Sequence, residues 1–202
     1  MERQLEFARE LQALAQTGLY YCEDKFCHER YLRIREIAAE MVAARSNLPL
    51  EKVKDLFCGD VGYQTPKVDT RAAIFKDGKI LLVREEEGWS MPGGWCEVNL
   101  SPAENAIKEA REEAGLECVV EKVIAVQDRA KHNRPLYIFD VVKIFYLCKA
   151  IGGEFIPNIE TTARGYFSEN NLPKLDIARN TLEQVKLCFE AARAKTWETY
   201  FD

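Results

Sequence analysis

Glu109, Glu112 and Glu113 stand at i, i+3 and i+4, so on a helix they share one arc of roughly 100°. Like charges this close repel, and a solvated helix gains nothing by grouping them. A hard divalent cation resolves the repulsion, because Mg²⁺ takes oxygen ligands and bridges carboxylates to substrate phosphates. The helix carries its own boundaries. Ser101 and Glu104 form a capping-box pair, Pro102 suits the first turn and Gly115 supplies the stop. A lone E-x-x-E-E is ordinarily just an exposed acidic face. Here a glycine turn, Trp89-Ser-Met-Pro-Gly-Gly94, lies directly upstream, and turn and helix together point to an ion site.

Turn and helix together resemble the Nudix box, G-x5-E-x7-R-E-U-x-E-E-x-G-U, with U an aliphatic residue. Aligned on Gly94, the second half reads Lys108-Glu109-Ala110-Arg111-Glu112-Glu113-Ala114-Gly115-Leu116. Two positions depart from the pattern: Leu100 stands where the family has Glu, and Lys108 where it has Arg. Lys108 keeps the charge and can reach Glu112 at i+4, without the planar bidentate contact of Arg. The stretches Thr65–Phe75 and Lys79–Arg84 are similar to the opening strands of Nudix domains. Residues 1–60 resemble the helical N-terminal extension of a subgroup acting on nucleoside diphosphates linked to another group.

That resemblance implies an α/β/α sandwich with a mixed sheet, preceded by a small all-helical extension. It implies metal ligation by Glu109, Glu112 and Glu113 with the carbonyl of Gly93, and Mg²⁺ (or Mn²⁺) as the ion. The implied reaction is hydrolysis of the pyrophosphate bond in a conjugate such as CDP-choline or ADP-ribose, releasing a nucleoside monophosphate. The general base is either a helix glutamate or Glu160, in the segment where the family often places a late acid. Ala163 stands where that segment's second acid is usual. The subgroup also implies a homodimer with the N-terminal helices at or near its interface. Two other readings stay open: a nucleotide-sensing module without turnover, and a hydrolase of RNA ends.

Arg84, at a strand end, and the basic cluster Lys131, His132 and Arg134 are candidates for meeting phosphate or ribose. A turn this polar is more often just a solvated loop. Tyr20, Tyr21 and Tyr63 are candidates for stacking on a base, with packing as the plainer alternative. Cys22, Cys27 and His28 form at most half of a zinc site, with no second half at ligand spacing.

With 202 residues, 47% of them hydrophobic, the chain has room for one ordinary domain and a small appendage. A net charge of −5 without a basic run gives no electrostatic support to nucleic-acid or membrane-surface binding. No apolar stretch approaches the ~20 residues of a membrane span, and the first residues lack a signal peptide's apolar core. The odd count of seven cysteines argues against a disulfide framework. The expectation is a cytoplasmic protein.

The elements that must position these residues follow from periodicity. Residues 3–16 and 25–44 read as helices, the second with an apolar stripe of Tyr31, Ile34, Ile37, Ala38, Met41 and Val42 expected to be buried. Residues 50–57 suggest a third, short helix, and Gly59 to Lys67 a linker, dividing the chain into 1–60 and 66–202. Beyond it, residues 68–75 and 79–85 form a hairpin around Asp77-Gly78. Residues 118–128 and 138–150 are strands by β-branched and aromatic content. Residues 176–195 read as a closing helix.

Overall fold

The computed structural model describes residues 2–46, 48–85, 88–157 and 161–202. The chain divides into two compact units: residues 1–66 with Leu136–Phe139, and residues 67–135 with 140–202.

The first unit holds Glu2–Tyr21 (α1), Lys25–Ala43 (α2) and Leu50–Phe57 (α3). Its core is built on small residues, Ala8, Ala38 and Ala39, closed by Val42, Val53 and Phe57. Helix α1 runs past the expected end to Tyr21, and within the added turn Gly18 lies against a ring. A Cβ there would fall 2.4 Å from Tyr31, so the missing side chain is what lets that ring lie against the helix. The apolar stripe of α2 is only half buried. Ala38 and Val42 are in the core, whereas Ile37 is exposed, as are Phe7, Leu14, Tyr20, Tyr21, Phe26 and Leu32. Three short helices have too little mass to cover every apolar face.

The second unit contains Lys67–Lys76 (β1), Lys79–Arg84 (β2), Trp89–Ser90 (β3), Pro102–Ala114 (α4), Glu117–Asp128 (β4), Arg129–His132 (α5), Val141–Gly152 (β5), Ala163–Phe167 (β6), Leu182–Arg193 (α6) and Tyr200–Phe201 (β7). Among the described residues the strands form one mixed sheet in the order β3-β2-β1-β5-β4-β7, with β6 beside β2. The β1–β5 pair is parallel, and β1–β2, β2–β6 and β4–β5 are antiparallel. Alternation along β1 assigns the two faces. Ala72 and Ile74 pack with Ala106, Ala110 and Ala114 of α4; Ala73 and Phe75 pack toward Val185 and Phe189 of α6. The result is the α/β/α sandwich. Alanine at every fourth position of α4 lets its axis come close to the sheet.

Two boundaries differ from the sequence expectation. The strand read as 138–150 begins at Val141, because Leu136–Phe139 belongs with the helical unit and Ile138 packs on that unit's core. The closing helix begins at Leu182, six residues late, because Thr181 and Gln184 form a full capping box there. Residues 174–180 are left as connecting chain, whose backbone groups bond partly to the backbone of Trp89 and Asp176 and partly to side chains.

Candidate active site

Helix α4 forms where its end signals lie. The Ser101 side chain accepts from the Glu104 N–H, Glu104 answers to the Ser101 N–H, and Gly115 closes the helix at φ 63°. Its first turn is anchored by Asn105, fully buried. The Asn105 amide donates to Thr70 Oγ1 at 2.9 Å and accepts from the Glu97 N–H at 3.1 Å.

The turn before the helix lies along the first half of β1, ahead of the residues that pair with β2. Ala72 N–H donates to Pro92 O, Thr70 N–H to Gly94 O and Cys96 N–H to Val68 O. Gly93 must be glycine. Its φ is +148°, and a Cβ would sit 1.9 Å from Thr70 O. At Gly94 a Cβ would approach Glu109 Oε2 to 3.3 Å. The Gly93 N–H donates to Glu113 Oε2 at 2.9 Å. Glu109 and Glu113 therefore face the glycine turn.

Glu112 turns to Lys108, the i+4 pair expected from sequence; Lys108 also lies 3.5 Å from Glu109 and 3.3 Å from Glu97. Glu97 thus supplies Lys108 with a third carboxylate, which Leu100, in the family's acidic position, cannot. Among the described residues no three His, Cys, Asp or Glu side chains are gathered closely enough to form a ready-made metal cage.

The electrostatics favour an ion nonetheless. Burial pushes Glu113 up to about 7, against the pull of Arg71 and the Gly93 N–H, with Glu85 and Glu109 pushing further. Glu109 is also raised, first by burial. Two carboxyl groups raised by burial and set beside a backbone turn are oxygen ligands of the kind a hard divalent cation takes.

Sequence reasoning missed a buried polar layer behind this turn. Asp69 and Arg71 form a bidentate pair at 2.9 and 2.7 Å, and Arg71 Nη1 donates to Met91 O at 3.2 Å. Burial alone would raise Asp69, but Arg71 holds it below the usual carboxylate range. Lys143, opposite Asp69 on β5, is 1% exposed and donates to Arg179 O; its burial pushes it down to about 7. The signal was present as charges inside apolar runs, VDTRAAIF and VVKIFYL, which strand alternation alone does not explain.

The other predicted residues are dispersed. Arg84 is exposed at the end of β2, opposite Trp89 and Ala163. His132 meets Asp202 at 2.7 Å, Arg134 donates to Ala130 O and Asn133 O, and Lys131 is exposed. These described contacts of the basic cluster lie around α5 and the C-terminus rather than at α4. Tyr20, Tyr21 and Tyr63 are all exposed, so none is a core residue. Glu160 lies outside the described residues.

An acidic helix entered through a glycine turn lies on one face of a mixed sheet, with a second helix covering the other face. Residues 66–187 match the NUDIX domain, and the chain belongs to the Nudix family, whose hydrolases work with divalent ions; it is an enzyme of the pyrophosphohydrolase class. Residues 2–57 match a second family, described as a UDP-X-like N-terminal oligomerisation domain. The chain is 42% identical over 200 residues to YjhB of Bacillus subtilis (strain 168), named as a candidate ADP-ribose pyrophosphatase, covering 98% of this chain and 96% of that one. It resembles the crystal structure of a UDP-X diphosphatase at 34% identity and TM-score 0.65, over 100% of this chain and 98% of the other. An ADP-ribose pyrophosphatase from Streptococcus suis 89-1591 is 52% identical, with TM-score 0.64, over 68% of this chain and all of that one. No helix among the described residues is long and apolar enough to cross a membrane.

Proposed function

We propose that the protein is a Mg²⁺-dependent hydrolase of nucleoside diphosphates linked to another group, with ADP-ribose and UDP conjugates its leading substrates. The observation that carries this reading is the pairing of Glu113 with the Gly93 N–H, with Glu109 close to Gly94, which brings two carboxyls of the acidic helix against the glycine turn. The names of the relatives favour ADP-ribose and UDP-X over CDP-choline, which belongs in the same test panel.

Glu109, Glu113, Glu112 and the Gly93 carbonyl would hold the ion. When bound, it would neutralise phosphate oxygens and make water a better nucleophile. Attack on one phosphorus breaks the P–O–P bond, yielding a nucleoside monophosphate and a phosphorylated second group, with one proton released to a base. Glu112, paired with Lys108 here, would be the third glutamate to hold the ion. Glu160 or a helix glutamate takes the proton. Arg84, Lys131, His132 and Arg134 remain candidates for holding the conjugate's polar groups.

Residues 1–60 serve as an oligomerisation extension and residues 66–202 as the catalytic domain. The exposed Phe7, Leu14, Tyr20 and Tyr21 support a homodimer built through the helical unit. Seven free cysteines support a reducing, cytoplasmic setting.

The deciding experiment is product release from ADP-ribose, UDP-glucose, CDP-choline, NADH and nucleoside triphosphates, with and without Mg²⁺ or Mn²⁺. Metal-dependent AMP or UMP from a conjugate supports the proposal. Release from triphosphates alone overturns it.

A further inference from the structure

Residues 174–180 cross behind the turn that leads into the acidic helix and bond to it along its length. Trp89 N–H donates to Lys174 O at 3.1 Å and Asp176 N–H to Trp89 O at 3.0 Å. Gly88 has no room for a side chain here, since a Cβ would lie 2.9 Å from Asp176 N. The fully buried Asn180 accepts the Met91 N–H on its Oδ1 at 2.9 Å. Arg71 takes the carbonyl of the same Met91. Both backbone groups of Met91 are therefore fixed by buried side chains, two residues before the Gly93 N–H meets Glu113.

The strap itself is held from behind. The successive carbonyls of Ile177, Ala178 and Arg179 accept from Asn133, Arg129 and Lys143. No helix or strand holds these carbonyls, and each has a side-chain donor instead. At the strap's end the Arg179 guanidinium pairs with Glu85 and Asp176, so Arg179 and Asn180 hold the chain on both sides of Gly88. These bonds tie the strap to the turn through the Oδ1 of Asn180 and the guanidinium of Arg179, while Asn180 Nδ2 is buried without a hydrogen-bond partner among the described residues.

We propose that Asn180 is a positioning residue for hydrolysis: by holding the Met91 N–H it keeps the Gly93–Glu113 contact in register, with Arg179 as its companion through Glu85. This rests on the reading of the acidic helix as the catalytic site. It gives the α6 side of the sheet a role in a reaction that takes place on the α4 side.

The test uses the full-length protein with Asn180→Ala, the milder Arg179→Gln, and Val185→Ala as a comparator in the core of α6. Asn180→Ala is expected to lower kcat by about 10- to 100-fold, the cost of a small misplacement at a reacting centre, with KM within threefold of wild type. Arg179→Gln is expected to lower kcat about three- to tenfold, again at nearly constant KM. Amide hydrogen exchange at Met91 and Gly93 should accelerate at least tenfold in Asn180→Ala and stay unchanged in Val185→Ala. If Asn180→Ala costs no more kcat than Val185→Ala at equal loss of Tm, the proposal fails. Unchanged exchange at Met91 and Gly93 overturns it equally, and that measurement stands whichever substrate the enzyme turns over. If Asn180→Ala does not fold, Arg179→Gln decides by the same kcat and exchange readouts.

Discussion

The Gly93 N–H donates to the Glu113 carboxylate at 2.9 Å across twenty residues of sequence. That bond joins the two halves of the site, a turn that only glycine can make and a helix whose charge needs a partner. Its loss should be felt in turnover before stability. Glu113→Gln is expected to cut kcat at least 100-fold and Glu112→Gln to remove most turnover. Steady-state release of nucleoside monophosphate from the preferred conjugate checks both, and near-wild-type rates would contradict the ligand assignment.

The acidity of Glu113 makes the metal-free protein sensitive to pH. Its folded value of about 7 lies above the ordinary 4.5, so the native state holds the proton more tightly than the unfolded one. Stability from this group is complete below about pH 4.5 and falls as pH rises through 7, by about 3 kcal/mol at most. In EDTA, Tm should therefore drop between pH 5 and 7.5. Added Mg²⁺ should restore most of it at pH 7.5, because the ion binds the charged form. A Tm flat over this range with EDTA would refute the prediction.

Gly93→Ala forces a side chain into a φ of +148° and onto the Thr70 carbonyl. We expect a loss of at least 2 kcal/mol and of nearly all activity, read by urea unfolding and turnover. An alanine tolerated at wild-type stability would show that the turn has another conformation open to it.

Lys108 stands among Glu97, Glu109 and Glu112. Lys108→Ala takes the Lys108 cation away from these three carboxylates. The Mg²⁺ concentration for half-maximal activity is expected to fall about threefold, while Lys108→Arg stays near wild type. A rise in the metal requirement would instead make Lys108 an organiser of the ion site.

Leu14 and Tyr21 are exposed by more than half on the helical unit. In a homodimer built through that unit, Leu14→Lys with Tyr21→Lys should shift light-scattering mass from two chains to one at micromolar concentration. A wild-type protein already monomeric there would remove the dimer.

The sequence by itself determined helix α4, its two ends and the face its glutamates share. Those signals are local: a capping pair three residues apart, a left-handed glycine, and carboxylates within one turn. It also determined the hairpin at Asp77-Gly78 and the strand content around it. The tertiary structure alone decided which carboxylates face the turn and which face Lys108. It also placed Asp69, Arg71, Lys143 and Asn180 in one buried layer behind that turn. Asn180 and Met91 are 89 residues apart, and a hydrogen bond between such positions has no periodicity or spacing to betray it. The late start of α6 has the same origin. Residues 176–180 carry helix-compatible side chains, but the carbonyls of Ile177, Ala178 and Arg179 bond to Asn133, Arg129 and Lys143 from other elements.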